Sequence, residues 1–305
     1  MKKVMILGGS GFIGRQLFSH LGPECATATF NSHPLQGGVF FDSPEMALLD
    51  LPVDPSDYSH AVILLGHASP DFCAENPDRS RAVNVTGIEV VVEQLAAHGI
   101  IPVFASTEVV FDGEKGGYVE TDAVNPILVY GRQKVEIEQY LQNRHESFLI
   151  LRIAKVYDSR PTVGSLLGDW FHHAATGRKA IRCARDFVSN VIHVDDVVAT
   201  IVCLMEHSST GIYHLGGPAA LSRLDIFSIL LDEMKSAIGG INVTAVPCSI
   251  HEFQTVESRP LDVSMNTEKL RSETKLEPRD VRTACRELLI SALAHTGENL
   301  APTVP

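Results

Sequence analysis

Several features are missing from this 305-residue chain, and each absence narrows what it can be. No run reaches the roughly 18 to 20 apolar residues that span a bilayer, so no membrane partner is expected. The six cysteines, Cys25, Cys73, Cys183, Cys203, Cys248 and Cys285, are scattered, with no CxxC pair and no His at metal-ligand spacing. A disulfide framework and a metal site are therefore not expected, and a reduced, cytoplasmic setting is the simplest reading. No Lys or Arg run interrupts a formal charge of −12, which would repel a phosphate backbone; nucleic acid is not an expected partner. An anionic small substrate would need a local basic pocket. The opening MKKVMILGG runs into a glycine-rich turn and not into a small-residue cleavage site, so no signal peptide is expected. Internal repeats and low-complexity tracts are also absent.

What is present is ordinary for a globular protein: 45% hydrophobic and 20% charged residues, in a chain long enough for a sizeable core. Short apolar runs at 3–7, 26–30, 39–41, 61–65, 101–105 and 148–153 predict strands. Between them, helical periodicity appears at 12–21, 77–99 and 126–141. This alternation predicts an α/β fold, a doubly wound parallel sheet with right-handed crossovers. Beyond residue 158 the pattern loosens, with helices expected near 163–176, 194–206, 221–238 and 281–294, a strand at 212–215, and an unassigned segment at 182–190. We therefore expect a dinucleotide-binding Rossmann domain from 1–158 with 186–216, and a smaller substrate lobe from 159–185 with 217–296. A flexible tail is expected over 297–305.

The first strand ends in GGSGFIG. Glycines at Gly8, Gly11 and Gly14 allow a tight turn, close approach of backbone to phosphate, and close packing of helix on strand. The free N–H groups and positive end of the following helix suit a pyrophosphate. An acidic residue after the second strand usually marks NAD. Here that place reads Asn31, Ser32 and His33 after Phe30, so NADP is favoured over NAD, with Arg15 or His33 as candidates to meet a 2′-phosphate. Asp42, after the third strand, could accept from the adenine amino group or simply begin a turn.

Tyr130 and Lys134 lie four residues apart on an expected helix, hence on one face. A neighbouring ammonium favours a phenolate and brings a tyrosine toward the range useful for proton transfer. The fifth strand ends in Ser106 and Thr107, at the sheet edge where ligands of doubly wound folds bind. Strand alternation leaves both hydroxyls open as carbonyl partners; we take Thr107.

The glycine turn, STEVVFDG at 106–113 and YGRQK at 130–134 resemble the extended short-chain dehydrogenase/reductase superfamily. CAENPDRSRAVNVTG at 73–87, LRIAKVY at 151–157, RDFVSNVIHVDD at 185–196, GIYHLGG at 211–217 and RPLDVSMNTEKL at 259–270 extend the likeness to its dTDP-4-dehydrorhamnose reductase branch. The resemblance implies NAD(P)H-dependent reduction of a keto group on a nucleotide-activated sugar, with Thr107, Tyr130 and Lys134 as the catalytic set. It also implies cofactor contacts from Phe12, Ile13, Asn31, Asp42, Leu65, Gly66, Ala68, Asn84, Ser106 and Ile153, and substrate contacts from Glu108, Lys155 and Arg259. Asn84 matches the family's helix asparagine, which supports a water near the lysine.

Sugar-nucleotide dehydratases of the superfamily resemble one another in carrying Thr-Asp-Glu where this chain has Thr107, Glu108 and Val109. The second carboxylate is missing, which disfavours dehydration. The chain departs from the rhamnose reductases in Glu108 for Asp, in Gly66, and in Lys155 for a bulky aromatic. Lys155 could bring positive charge to the pocket, implying a substrate with a carboxylate or a different sugar configuration; a lysine turned to solvent is the alternative. Asp195 and Asp196 resemble a structural helix start, and His67, His172 and His173 receive no role, with His67 the best placed to line the pocket. Two other functions stay open: an epimerase using the same three residues, and a non-catalytic NADP-binding partner like the regulatory β-subunit of methionine adenosyltransferase. A homodimer is an open possibility.

Overall fold

A computed structural model describes residues 2–177 and 179–295; the tail expected over 297–305 lies outside them. The first half alternates strands and helices. It runs β1 (Lys3–Leu7), α1 (Phe12–Leu21), β2 (Ala26–Phe30), β3 (Val39–Phe40), β4 (Tyr58–Ile63), α2 (Pro70–Glu75), α3 (Pro77–Arg81), α4 (Gly87–Ala97), β5 (Ile101–Thr107), α5 (Val129–Arg144) and β6 (Leu149–Ile153). The second half adds β7 (Val156–Tyr157), α6 (Leu166–Ala175), β8 (Ala180–Ala184), β9 (Val188–Ser189), β10 (Ile192–His193), α7 (Val194–Glu206), β11 (Gly211–Leu215), β12 (Leu221–Ser222), α8 (Arg223–Ala237), β13 (Thr244–Cys248), α9 (Glu268–Thr274) and α10 (Val281–His295). Among the described residues no helix is long and apolar enough to cross a membrane.

Seven strands form one sheet in the order β11-β6-β5-β4-β1-β2-β3, every pair parallel. The chain reverses direction across the sheet between β1 and β4, the switch point at whose carboxyl edge ligands bind in such folds. The strands alternate sides. Met5 and Leu7 pack with Ile63, Phe104 and Ile150 against Ile88, Val91 and Leu95 of α4 and Ile137 and Leu141 of α5. Ile6 packs with Val62, Val103, Leu149 and Leu151 on the other face, against Leu17 of α1 and Val197, Ile201 and Leu204 of α7. Each such buried Leu or Ile contributes about 1.5–3 kcal/mol. A third core, of Leu167, Phe227, Leu230, Met234, Val281, Cys285 and Leu288, ties α6, α8 and α10 together.

The structure differs from expectation in several places. The strand read at 61–65 starts earlier and ends at Ile63. The helix read at 126–141 starts at Val129 and runs to Arg144, because Leu128 remains extended. The single helix expected over 77–99 is a broken series: Pro77 starts a new helix after Asn76, and residues Ala82–Thr86 form a π turn before α4. The 182–190 segment splits between β8 and β9, each pairing with a strand far away in sequence, β13 and β12. Periodicity carries no information about such pairing.

Candidate active site

The glycine turn at the end of β1 is tightly built. Gly8 has φ +92 and donates its N–H to Thr29 Oγ1 at 3.0 Å, and Gly11 N–H returns to Gly8 O at 3.1 Å. A Cβ on Gly14 would lie 2.5 Å from Gly8 O, so a side chain there would push α1 off the strand. α1 therefore begins directly over the sheet edge with its first N–H groups toward a cleft of about 620 Å³.

Gly11, Phe12, Ile13 and Gly14 form one wall of this cleft. Leu65, Gly66 and Ala68 after β4, Ser106, Thr107 and Glu108 after β5, Ile153 and Lys155 after β6, and Tyr130, Lys134 and Arg259 complete most of the rest. Gly8, Asn31, Asp42 and Asn84 are not among the lining residues. Gly8 lies beneath the turn, and exposed Asn31 follows β2, the neighbour of β1. Asn84 is buried in the π turn, its side chain taken up by His67 N–H, His67 O and Gln133. It holds the 66–68 loop in place, and Gly66 is required beside it, since a Cβ would meet Asn84 Oδ1 at 2.7 Å.

The two hydroxyls left open by alternation have different surroundings. Ser106 Oγ donates to Glu138 Oε1 at 2.5 Å, and Glu138 in turn pairs with Arg152 at 2.8 Å, both nearly solvent-free. Thr107 Oγ1 has the long approach of Val109 N–H, at 3.4 Å, and the neighbouring Tyr130 hydroxyl, with no charged group taking it up among the described residues, and is the freer partner for a ligand. Gly131 brings α5 against the turn after Thr107: a Cβ there would lie 2.3 Å from Val109 O. The YG dipeptide thus sets Tyr130 beside Thr107.

Lys134 Nζ donates to Ala105 O at 2.7 Å, sits 4.6 Å from the centre of the Phe104 ring and 5.8 Å from that of Tyr130. Burial holds its ammonium down to about 8, against the opposing pull of Glu138. Tyr130 is not drawn toward the phenolate as the sequence suggested. Burial raises its hydroxyl well above the ordinary tyrosine value, with the thiol of Cys73 adding to the effect and Thr107 opposing it. Desolvation wins over a lysine that is directed at a carbonyl.

Glu108 is buried. Its carboxyl accepts from Ser189 Oγ at 2.5 Å and Lys155 N–H at 3.2 Å, and burial pushes it up to about 7. Arg259 is engaged with Asp71 at 2.8 Å at the cleft edge. Asp195 accepts from Gln16 and lies 3.8 Å from Arg279, at the start of α7. His67 lines the cleft and rests on Phe72, with ring centres 4.3 Å apart.

Sequence reading missed Phe187 and Arg223, which also line the cleft. Arg223 stacks over Phe187, its guanidinium 5.2 Å from the ring centre. A lone arginine at the start of a helix 116 positions after Thr107 carries no local signal of such a place.

Residues 1–293 match the RmlD substrate binding domain family. A dTDP-4-dehydrorhamnose reductase of Escherichia coli is 24% identical over 298 residues, 94% of this chain and 96% of that one. Methionine adenosyltransferase 2 subunit beta of Xenopus laevis is 23% identical over 248 residues, 76% and 72% of the two chains. In fold, the chain is similar to the crystal structure of dTDP-4-dehydrorhamnose reductase from Bacillus anthracis in complex with NADP, with a TM-score of 0.76, 21% identity, and coverage of 95% and 99%. With the family match spanning nearly its whole length, the chain belongs to the RmlD substrate binding domain family.

Proposed function

We propose that this protein is an NAD(P)H-dependent ketoreductase of nucleotide-activated sugars. The observation that carries the reading is that Thr107, Tyr130 and Lys134 line the same cleft as the glycine turn at the start of α1. The names of relatives, dTDP-4-dehydrorhamnose reductases over most of the chain, support it.

The turn fits a dinucleotide. A Cβ on Gly8 or Gly14 would collide with backbone at 2.9 and 2.5 Å, and α1 presents its first N–H groups to the cleft. Gly11, Phe12 and Ile13 would hold the pyrophosphate, with Leu65, Gly66, Ala68, Ser106 and Ile153 along the rest of the molecule. Exposed Asn31 and His33 bring no carboxylate against a 2′-phosphate, which favours NADP over NAD. When bound, this cofactor supplies a hydride.

Tyr130 supplies the matching proton. Its raised affinity for that proton keeps the phenol neutral at physiological pH, the form a reduction consumes. As the carbonyl carbon accepts hydride, the developing alkoxide takes the proton from Tyr130, and Thr107 hydrogen-bonds the same oxygen. Lys134 orients the ribose and favours the phenolate left behind. In this reading residues 1–158 with 186–216 carry the dinucleotide, and the lobe of 159–185 with 217–296 closes on the sugar nucleotide.

A screen of dTDP-, UDP- and GDP-linked 4-keto sugars with NADPH or NADH tests the proposal. Stoichiometric loss of absorbance at the reduced nicotinamide band is expected. Interconversion of isomers without net oxidation would instead support an epimerase, and binding of NADP without turnover of any sugar would support a partner protein.

A further inference from the structure

Two cations in the cleft share one partial counter-charge, the carboxyl of Glu108. Lys155 and Arg223 both line the cleft, and among the described residues neither takes part in an ion pair. Among the described residues Arg223 Nη1 is buried without any hydrogen-bond partner, although its guanidinium lies over the Phe187 ring. An orphaned guanidinium nitrogen at a cleft wall is costly unless a ligand completes it. Burial weakens the hold of Lys155 on its proton, the positive charge of Arg223 adds to that, and Glu108 opposes it.

Glu108 compensates them only in part. Its oxygens are spent on the neutral donors Ser189 Oγ and Lys155 N–H, and its burial favours the uncharged acid. At most one negative charge faces two positive ones.

The position of the pair identifies which part of the substrate it meets. Ile153 stands opposite Thr107 in the β5–β6 register, Lys155 follows two residues later, and Glu108 adjoins Thr107. Lys155 therefore flanks the end of the cleft where the reacting carbonyl would be held, and Arg223, whose charge acts on both Glu108 and Lys155, lines the cleft beside it. The diphosphate of a sugar nucleotide is separated from that carbon by the sugar ring.

Building on the proposed function, we propose that Lys155 and Arg223 form a subsite for a carboxylate borne by the sugar ring. The substrate class is then a nucleotide-activated keto sugar acid and not a neutral keto sugar. Arg223 can offer a planar pair of donors to such a group, and Lys155 a point charge.

Calorimetric titration of the full chain, saturated with NADP, would compare glucuronate and glucose linked to UDP, dTDP and GDP. With the preferred nucleotide, the glucuronate is expected to bind at least about tenfold tighter, the worth of one good charge-assisted contact. Lys155→Met and Arg223→Gln should each reduce that ratio to about threefold or less, with retained NADP binding showing that the variants fold. A ratio near one in the unsubstituted protein, or a ratio that survives both substitutions, would overturn the subsite while leaving the nucleotide-sugar reading standing. Failure of all six ligands to bind would overturn that reading itself, and the subsite with it.

Discussion

Glu257 accepts the backbone N–H of Val129 through both carboxylate oxygens, at 3.0 and 3.1 Å, across 128 positions of sequence. Val129 opens the helix that carries Tyr130 and Lys134, and Leu128 before it provides no side-chain cap. A carboxylate from the segment next to Arg259 therefore replaces the missing cap and favours the positive helix end. Glu257→Ala should cost about 1 kcal/mol and lower the melting temperature by roughly 2 °C. It should also reduce kcat more than it raises KM, because the helix start that aims Tyr130 loosens. Unchanged melting and kcat would show that the contact does not hold the helix.

Glu138 and Arg152 meet at 2.8 Å with both side chains almost completely buried. Removing one partner leaves a desolvated charge, so Glu138→Ala should destabilise the fold by about 3–5 kcal/mol in urea unfolding. A loss below about 1 kcal/mol would mean that water or another group reaches Arg152. The same carboxylate holds Ser106 Oγ, which leaves Thr107 as the strand-end hydroxyl beside Tyr130.

The sequence and the structure agree best where punctuation is local. β1, α1 and β2 coincide with the residues read from apolar runs and glycines, because Gly8 holds a positive φ and Gly14 leaves no room for a side chain against Gly8 O. That Thr107, Tyr130 and Lys134 share one cleft was also legible, since a strand end and a four-residue helix spacing place them without knowledge of distant contacts. What stayed hidden depends on long-range pairing. Glu257 on Val129, Arg223 on Phe187 and β8 beside β13 join segments whose own patterns say nothing of the partner. The tyrosine's environment was misjudged for a related reason: i,i+4 spacing puts Lys134 on the right face, but the carbonyl of Ala105 decides where its ammonium points.

Glu108 makes stability depend on pH in a defined direction. Burial raises its folded-state value to about 7 from 4.5, so the folded protein binds more protons than the unfolded chain between those pH values. Stability from this group is present below pH 4.5 and is lost as pH rises through 7. Chemical denaturation of Glu108→Gln and of the unsubstituted protein at pH 5 and pH 7.5 should show the variant gaining relative stability at the higher pH. An equal difference at both values would contradict the buried, proton-holding state of Glu108.

Tyr130 as proton donor is the central claim, and Tyr130→Phe tests it most directly. With NADPH and a keto sugar nucleotide that the unsubstituted enzyme reduces, turnover should fall by about 10²–10⁴-fold, the usual worth of a positioned acid. NADPH should still bind, because the glycine turn at Gly8, Gly11 and Gly14 is untouched. Turnover within a few-fold of the original, with cofactor binding intact, would contradict the account.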